Sequence, residues 1–360
     1  MRLFRRWSVI SLLSVLSALP CSRLHAQETL LIATWGGAYE QAQQQALFAP
    51  FTQQTGIKIK TLAYNGGIAV LQAEPLPDLV DMPEEDAHRA CAQGLLVRAD
   101  FSRLLIKEPD TRLRTDFLPD AIQPCGVAHL TFSTLLAYDS RAFPGEKPQR
   151  SADFFDTRRF PGKRGLRREP TDVLEWALLA DGVPLSQVYD LLSTERGMRL
   201  ALRRLESIRE HIVWWDEADE PASLLQSGQV TMTSGYNGRF FLARSTENPL
   251  NIIWDGQIID RDVWVVPAQN QLSSEIRQFI RFATSAASLA RLAEHIPYGP
   301  TRHSAMARIG NHPQRGIPMR DHLPTAPRYL EGALFRDTRW YAKTAAWRER
   351  VFREWLDGED

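Results

Sequence analysis

From Leu30 onward, short apolar runs alternate with amphipathic stretches. Leu30-Leu31-Ile32-Ala33 leads into Thr34-Trp35-Gly36-Gly37, and a segment rich in Gln and Ala follows from Ala38 to Phe51. An apolar run, a glycine pair and a helix-forming stretch predict strand, loop and helix in that order. Ile57-Lys58-Ile59-Lys60 then alternates with the period of a half-buried strand. Together these make a βαβ unit whose first loop opens at the carboxyl edge of a parallel sheet, where open α/β sheets take small molecules. Trp35 beside two glycines offers a flat face next to closely approachable backbone. A tight turn with a packing tryptophan explains the same residues.

Pro77-Asp78-Leu79-Val80-Asp81 predicts a short strand ending in the acidic run Glu84-Glu85-Asp86. A helix is expected from Ala87 to Gln93, stopped by Gly94. Leu135-Leu136-Ala137-Tyr138 predicts another short strand, and a crossing between lobes is expected near Pro144-Gly145. Helical stripes follow at Val173, Leu174, Ala177 and Leu178, and at Met198, Ala201, Leu202, Leu205 and Ile208. Val230 to Thr233, Asn251 to Trp254 and Val263 to Val266 predict strands, and Ile276, Phe279, Ile280 and Ala283 a further helix. Asp337 to Leu356, with Trp340, Trp347 and Trp355, predicts a helix pinned by aromatics. Strands and helices in alternation predict an α/β fold.

The N-terminus follows a different rule. Arg2, Arg5 and Arg6 precede a short apolar stretch, Trp7 to Leu19, and Leu24-His25-Ala26 ends in a small residue. This predicts a secretory signal peptide over Met1–Ala26, too short and punctuated to span a membrane. Pro20 before Cys21 fits a lipid-attachment site poorly. The whole chain balances at 43 basic and 43 acidic residues, but the signal carries four arginines and no acid, leaving 39 against 43. A mildly acidic exported chain argues against a nucleic-acid partner. With Cys21 removed, Cys91 and Cys125 remain as a pair in an oxidising compartment, and a disulfide between them is expected. The remaining length exceeds one ordinary core and predicts two lobes.

The sequence contains no HExxH, GxSxG, P-loop, CxxC or GxGxxG, and its histidines lack metal-ligand spacing. No cofactor, metal or catalytic residue is therefore expected. Carboxylates beside aromatics stand out instead. Glu169 and Asp172 bracket Pro170-Thr171 at a helix start, where acids also serve simply as caps. Tyr236 lies between Gly235 and Asn237-Gly238, Asp260 and Asp262 precede the Val263 strand, and Tyr298 sits between two prolines. Aromatic faces and carboxylates together hold an organic ammonium.

Ala33-Thr34-Trp35, Thr55-Gly56-Ile57-Lys58-Ile59, Tyr236-Asn237-Gly238 and Ile296-Pro297-Tyr298-Gly299-Pro300 resemble the periplasmic spermidine/putrescine-binding proteins of bacterial ABC importers. The resemblance runs through the mature chain in order. It implies a two-lobed, type II periplasmic-binding-protein-like fold with a ligand cleft between the lobes. It implies that Trp35, Tyr236 and Tyr298 wall the ligand. By the same resemblance Glu169 and Asp172 look like the paired acids, and Asp262 like the acid that meets an amine. This chain departs from the pattern at Asp260, where a Trp is common, and at Glu84 and Glu85, where Ser and Tyr are usual. Glu85 and Asp260 are counted with the ligand-binding residues, and Glu175, Asp86 and Arg239 are placed within reach.

The expected layout is a first lobe over residues 27–135 and 262–304 and a second over 136–261. Residues 305–360 form a C-terminal helical segment packed mainly on the second lobe. The implied protein is a periplasmic monomer that hands putrescine or spermidine to a membrane permease. Lys163, Arg164, Arg167, Arg168 and Arg239 keep another reading open, a clamp for an amino acid or a carboxylate. A solvated basic loop is their simplest role. A secreted enzyme is the third reading, and nothing in the sequence supplies its nucleophile and base.

Overall fold

The computed structural model describes residues 28–109 and 111–358. The expected signal peptide, Met1–Ala26, lies outside the described residues.

The strands are β1 (Thr29–Thr34), β2 (Lys58–Ala63), β3 (Leu79–Pro83), β4 (Ile122–Gln123), β5 (Gly126–Asp139) and β6 (Arg164–Arg167). Then come β7 (Ile212–Trp215), β8 (Met232–Tyr236), β9 (Leu250–Val265), β10 (Gly299–Pro300) and β11 (Leu334–Phe335). They form one mixed sheet in the order β2-β1-β3-β9-β5-β8-β6-β7. β1 lies parallel to β2 and β3, as the βαβ pattern at the N-terminus requires. The intervening helical stretch, Gly37 to Thr55, takes one wider turn at Gln44–Phe48. Pro50 has no N–H to offer the Ala46 carbonyl one turn back, and Arg291 Nε donates to that carbonyl at 2.9 Å instead.

β5 and β9 are antiparallel partners along nearly their whole lengths. Their Gly126–Leu130 and Asp262–Val265 ends join β3, β1 and β2 in the first lobe, around Ile32, Leu47, Phe51, Trp264 and Phe279. Their other ends join β8, β6 and β7 in the second lobe, whose core holds Phe154, Trp176, Met198, Leu205 and Tyr341. The crossing is therefore made within β5 and β9 and not near Pro144-Gly145, which closes a turn after β5 has ended. The runs expected as separate strands at Asn251–Trp254 and Val263–Val266 are the two ends of β9. Leu135–Tyr138 is likewise the end of a 14-residue strand. Asp260 and Asp262 interrupt the apolar pattern without interrupting the ladder, whereas Trp254, Asp255, Gly256 and Gln257 fall in a register shift opposite Thr134–Leu136.

The helix after β3 begins at Glu84, three residues before the expected start. Pro83 fixes its entry and the three acids occupy its first turn, where the helix dipole favours them. Cys91, in the last turn of this helix, is disulfide-bonded to Cys125 just before β5. The C-terminal segment divides. Ala305, Ile309, Met319 and Leu323 pack with Phe241 and the helix Ala286–His295. The helix Thr338–Asp357, capped by Asp337, buries Trp340, Tyr341, Phe352 and Trp355 in the second lobe.

Candidate functional site

Two cavities share a wall of Trp35, Phe132 and Tyr236 where the lobes meet. The larger, about 160 Å³, is charged, and Glu85, Glu169, Asp172 and Asp260 line it with Arg167, Arg336 and Arg348. The smaller, about 20 Å³, is mainly aromatic, with Tyr39, Tyr298, Asp262 and Arg239 completing it. All eight residues singled out from the sequence line one cavity or the other. Asp86 and Arg239 do so too. Glu175 does not, because it is buried beneath the site against the Tyr341 hydroxyl. Of the other basic candidates, Arg164 is buried and donates to the Phe154 carbonyl, and Lys163 donates to Glu210 at the surface.

The aromatic wall is placed by the loop after β1. Gly36 and Gly37 both take positive φ, and a Cβ on Gly37 would collide with the Asp219 carboxylate of the second lobe. Trp35 packs against Tyr64, with ring centroids 5.3 Å apart, and against the backbone of Gly66. Phe132 comes from the middle of β5, meets Tyr236 edge-on and lies tilted against Tyr298. Below the wall lies a closed hydrogen-bond network. Tyr39 Oη and Gln43 Nε2 donate to Asp81 Oδ2, while His129 Nε2 lies 2.8 Å from Asp81 Oδ1.

Arg336 changes the meaning of the acids. Its backbone N–H donates to the Ile259 carbonyl, and its guanidinium lies over the Tyr341 ring at 4.5 Å. From there it pairs with Asp172 at 2.5 Å, Asp260 at 2.7 Å and, more loosely, Glu85 at 3.8 Å. Burial opposes its charge, but Asp172, Asp260 and Glu85 together outweigh that and hold its pKa high. Glu169 is paired with Arg167 at 2.7 Å, and Asp86 with Arg89 at 2.6 Å. Asp172 stands at φ 69°, a left-handed conformation costly to a non-glycine residue, which its bond to Arg336 helps to hold.

Asp262 has no such partner. The residue is 3% exposed, and its Oδ1 makes no hydrogen bond among the described residues. The indole of Trp35 is near enough to favour ionisation, yet its N–H closes no hydrogen bond of good geometry either. Burial first, then repulsion from Asp81 and Asp260, pushes the Asp262 pKa well up. Burial also pushes Glu85 to about 8, against the pull of Arg336.

Residues that the sequence reading missed complete the site. Phe132 is hidden in an apolar strand, and Arg336, Arg348 and Glu349 come from the C-terminal segment. Arg348 bonds Thr344 and the Tyr341 carbonyl and lies over Tyr341, with no carboxylate paired to it among the described residues.

Comparison with known proteins accords with this architecture. Residues 46–315 match the bacterial extracellular solute-binding protein family. The γ-aminobutyric acid-binding protein of Pseudomonas aeruginosa is 33% identical over 96% of each chain. The spermidine/putrescine-binding periplasmic protein of Escherichia coli is 23% identical over 85% of this chain and 87% of its own. Among solved structures, the binding protein MotA of A. tumefaciens in complex with glucopine superposes with a TM-score of 0.80. It is 25% identical over 91% of this chain and 99% of that one. These relatives are binding proteins and not enzymes. With a matched family segment that spans both lobes, this chain belongs to the bacterial extracellular solute-binding proteins.

Proposed function

We propose that this protein is the periplasmic binding component of an ABC importer and captures a short ω-amino acid of the γ-aminobutyrate type. The observation that carries this reading is the distribution of unpaired charge. Among the buried acids of the cleft, Asp262 alone has no cation paired to it within the described residues. One uncompensated carboxylate beside aromatic faces suits one ammonium. At the other end Arg336 Nη1 makes no hydrogen bond and Arg348 has no acid of its own. Those guanidinium groups suit a carboxylate. The ligand's short alkyl chain lies along Trp35, Phe132 and Tyr236.

The 33% identity to a γ-aminobutyric acid-binding protein supports the same reading. Export through a cleavable signal peptide accords with the family and with the charge pattern of Met1–Ala26.

A diamine remains the second reading, favoured by one count. Seven carboxylates and five guanidinium groups line the two cavities, an excess of two acids if all are ionised. Burial raises Glu85 to about 8 and pushes Asp262 up as well, so the empty cleft carries less negative charge at neutral pH than that count, and a bound ammonium favours ionisation of Asp262 beside it. Calorimetric titration with γ-aminobutyrate, putrescine and glutamate decides. The amino acid should bind tightest; putrescine binding roughly tenfold tighter or more would overturn the proposal.

A further inference from the structure

We propose that Arg336 is the residue that sets selectivity in the cleft, standing as a built-in cation where a diamine would place its second ammonium. This deepens the reading just given and rests on it.

The argument begins on β9. Asp260 and Asp262 are two residues apart on an unbroken stretch of strand, so their side chains leave the same face about 6.5–7 Å apart. Two carboxylates on that spacing are a receptor for a short extended diamine. Asp262 is unpaired, as such a receptor requires. Asp260 is not, because Arg336 Nε lies 2.7 Å from its carboxylate. The same guanidinium takes Asp172 from the second lobe and faces Glu85 from the first. Three of the acids that would gather round a second ammonium therefore already share one cation.

That cation is held rigidly. The short strand β11 lies parallel to β9 at Ile258 and Ile259, and this pairing delivers Arg336 to its place. The side chain is 3% exposed and lies on the Tyr341 ring, whose hydroxyl is engaged with Glu175. A free ammonium of the ligand cannot displace a group fixed at this many points. The place of a second ammonium is thereby filled by a guanidinium that neutralises part of the acidic charge around it. Its Nη1 makes no hydrogen bond among the described residues and is left to a ligand carboxylate.

The test compares putrescine and γ-aminobutyrate on purified mature protein. Arg336→Met removes the cation at similar length, and Arg336→Lys retains a charge and should keep putrescine excluded. Arg336→Met leaves three carboxylates uncompensated. A second variant, Arg336→Met with Glu85→Gln and Asp172→Asn, therefore leaves Asp260 as the one ionisable acid of those three, to pair with Asp262, one for each ammonium. In both Met variants the ratio of putrescine to γ-aminobutyrate affinity should rise roughly tenfold or more. Putrescine should also raise the unfolding temperature of the triple variant. A folded triple variant with an unchanged ratio overturns the role of Arg336. Wild-type protein that already prefers putrescine refutes the amino-acid reading instead, whatever the variants do to the ratio.

Discussion

Arg239, on the second lobe, donates a hydrogen bond from its guanidinium to the Trp35 carbonyl oxygen of the first, at 3.1 Å. Arg167 makes the same kind of bond from Nη2 to the Asn65 carbonyl, also at 3.1 Å. Both arginines are anchored to acids of their own lobe, Asp219 and Glu169. At these two points the lobes are drawn together over the cavities by charged donors and neutral acceptors.

Loss of the first of these contacts should weaken capture. A hydrogen bond from a charged group contributes about 1.5–3 kcal/mol, so Arg239→Ala should reduce γ-aminobutyrate affinity roughly ten- to a hundredfold. Small-angle X-ray scattering should show a larger radius in saturating ligand than for the unmodified protein. Equal affinity and equal radius would exclude a closing role.

Asp262→Asn should move stability and binding in opposite directions. The carboxylate is buried without a hydrogen bond to Oδ1, a costly arrangement in the empty protein. The variant should therefore melt at the same temperature or higher without ligand. Its affinity for an amine should fall by roughly ten- to a hundredfold. A sharp drop in the melting temperature of the empty protein would mean that Asp262 has a structural partner.

Stability and binding should also diverge with pH. Burial raises Glu84 to about 7 and Glu85 to about 8 from an ordinary 4.5. The folded state therefore binds these protons more tightly than the unfolded chain does, and stability declines as pH rises from about 4.5 through 8. The ligand-free protein should melt higher at pH 6 than at pH 9, and Glu85→Gln should flatten that slope. Affinity for an amine should rise over the same interval as the carboxylates ionise. A melting temperature that climbs steadily from pH 6 to 9 would contradict the assignment.

How much of this was legible in advance depended on whether the signal was local. The βαβ unit at Thr29–Ala63, the helical stripes at Val173 and Met198 and the helix around Trp340, Trp347 and Trp355 follow from spacing alone. The long strands did not, because Asp260 and Asp262 look like a loop until an antiparallel neighbour supplies their backbone partners. The acids were visible as acids, but their state of pairing was not. Arg336 lies 164 residues from Asp172 in sequence and 76 from Asp260, and nothing in the Leu334-Phe335-Arg336 run marks it. Phe132 was hidden for the opposite reason. In a strand buried along its whole length, an aromatic that faces a cavity cannot be told from one that faces the core.

The Cys91–Cys125 bond closes a loop with a sequence separation of 34, which chain entropy values at about 3–4 kcal/mol. Native protein should show no free thiol under denaturing, non-reducing conditions. Cys91→Ser with Cys125→Ser should lose roughly that much stability. Two titratable thiols in the exported protein would falsify the bond.

Phe132 lies between the two register shifts of β5, at Ala128–Leu130 and Thr134–Leu136, and Asp260 and Asp262 stand opposite on β9. Three of the proposed recognition groups thus stand on the two strands that run from lobe to lobe among the described residues. On that proposal, cargo chemistry and mechanical compliance meet in those residues. A substitution there that alters what is held also alters how stiffly the two halves are coupled. Changes of cargo at unchanged mechanics fall instead to cavity-lining positions off those strands and outside the lobe-to-lobe charge contacts, of which Tyr236 is one.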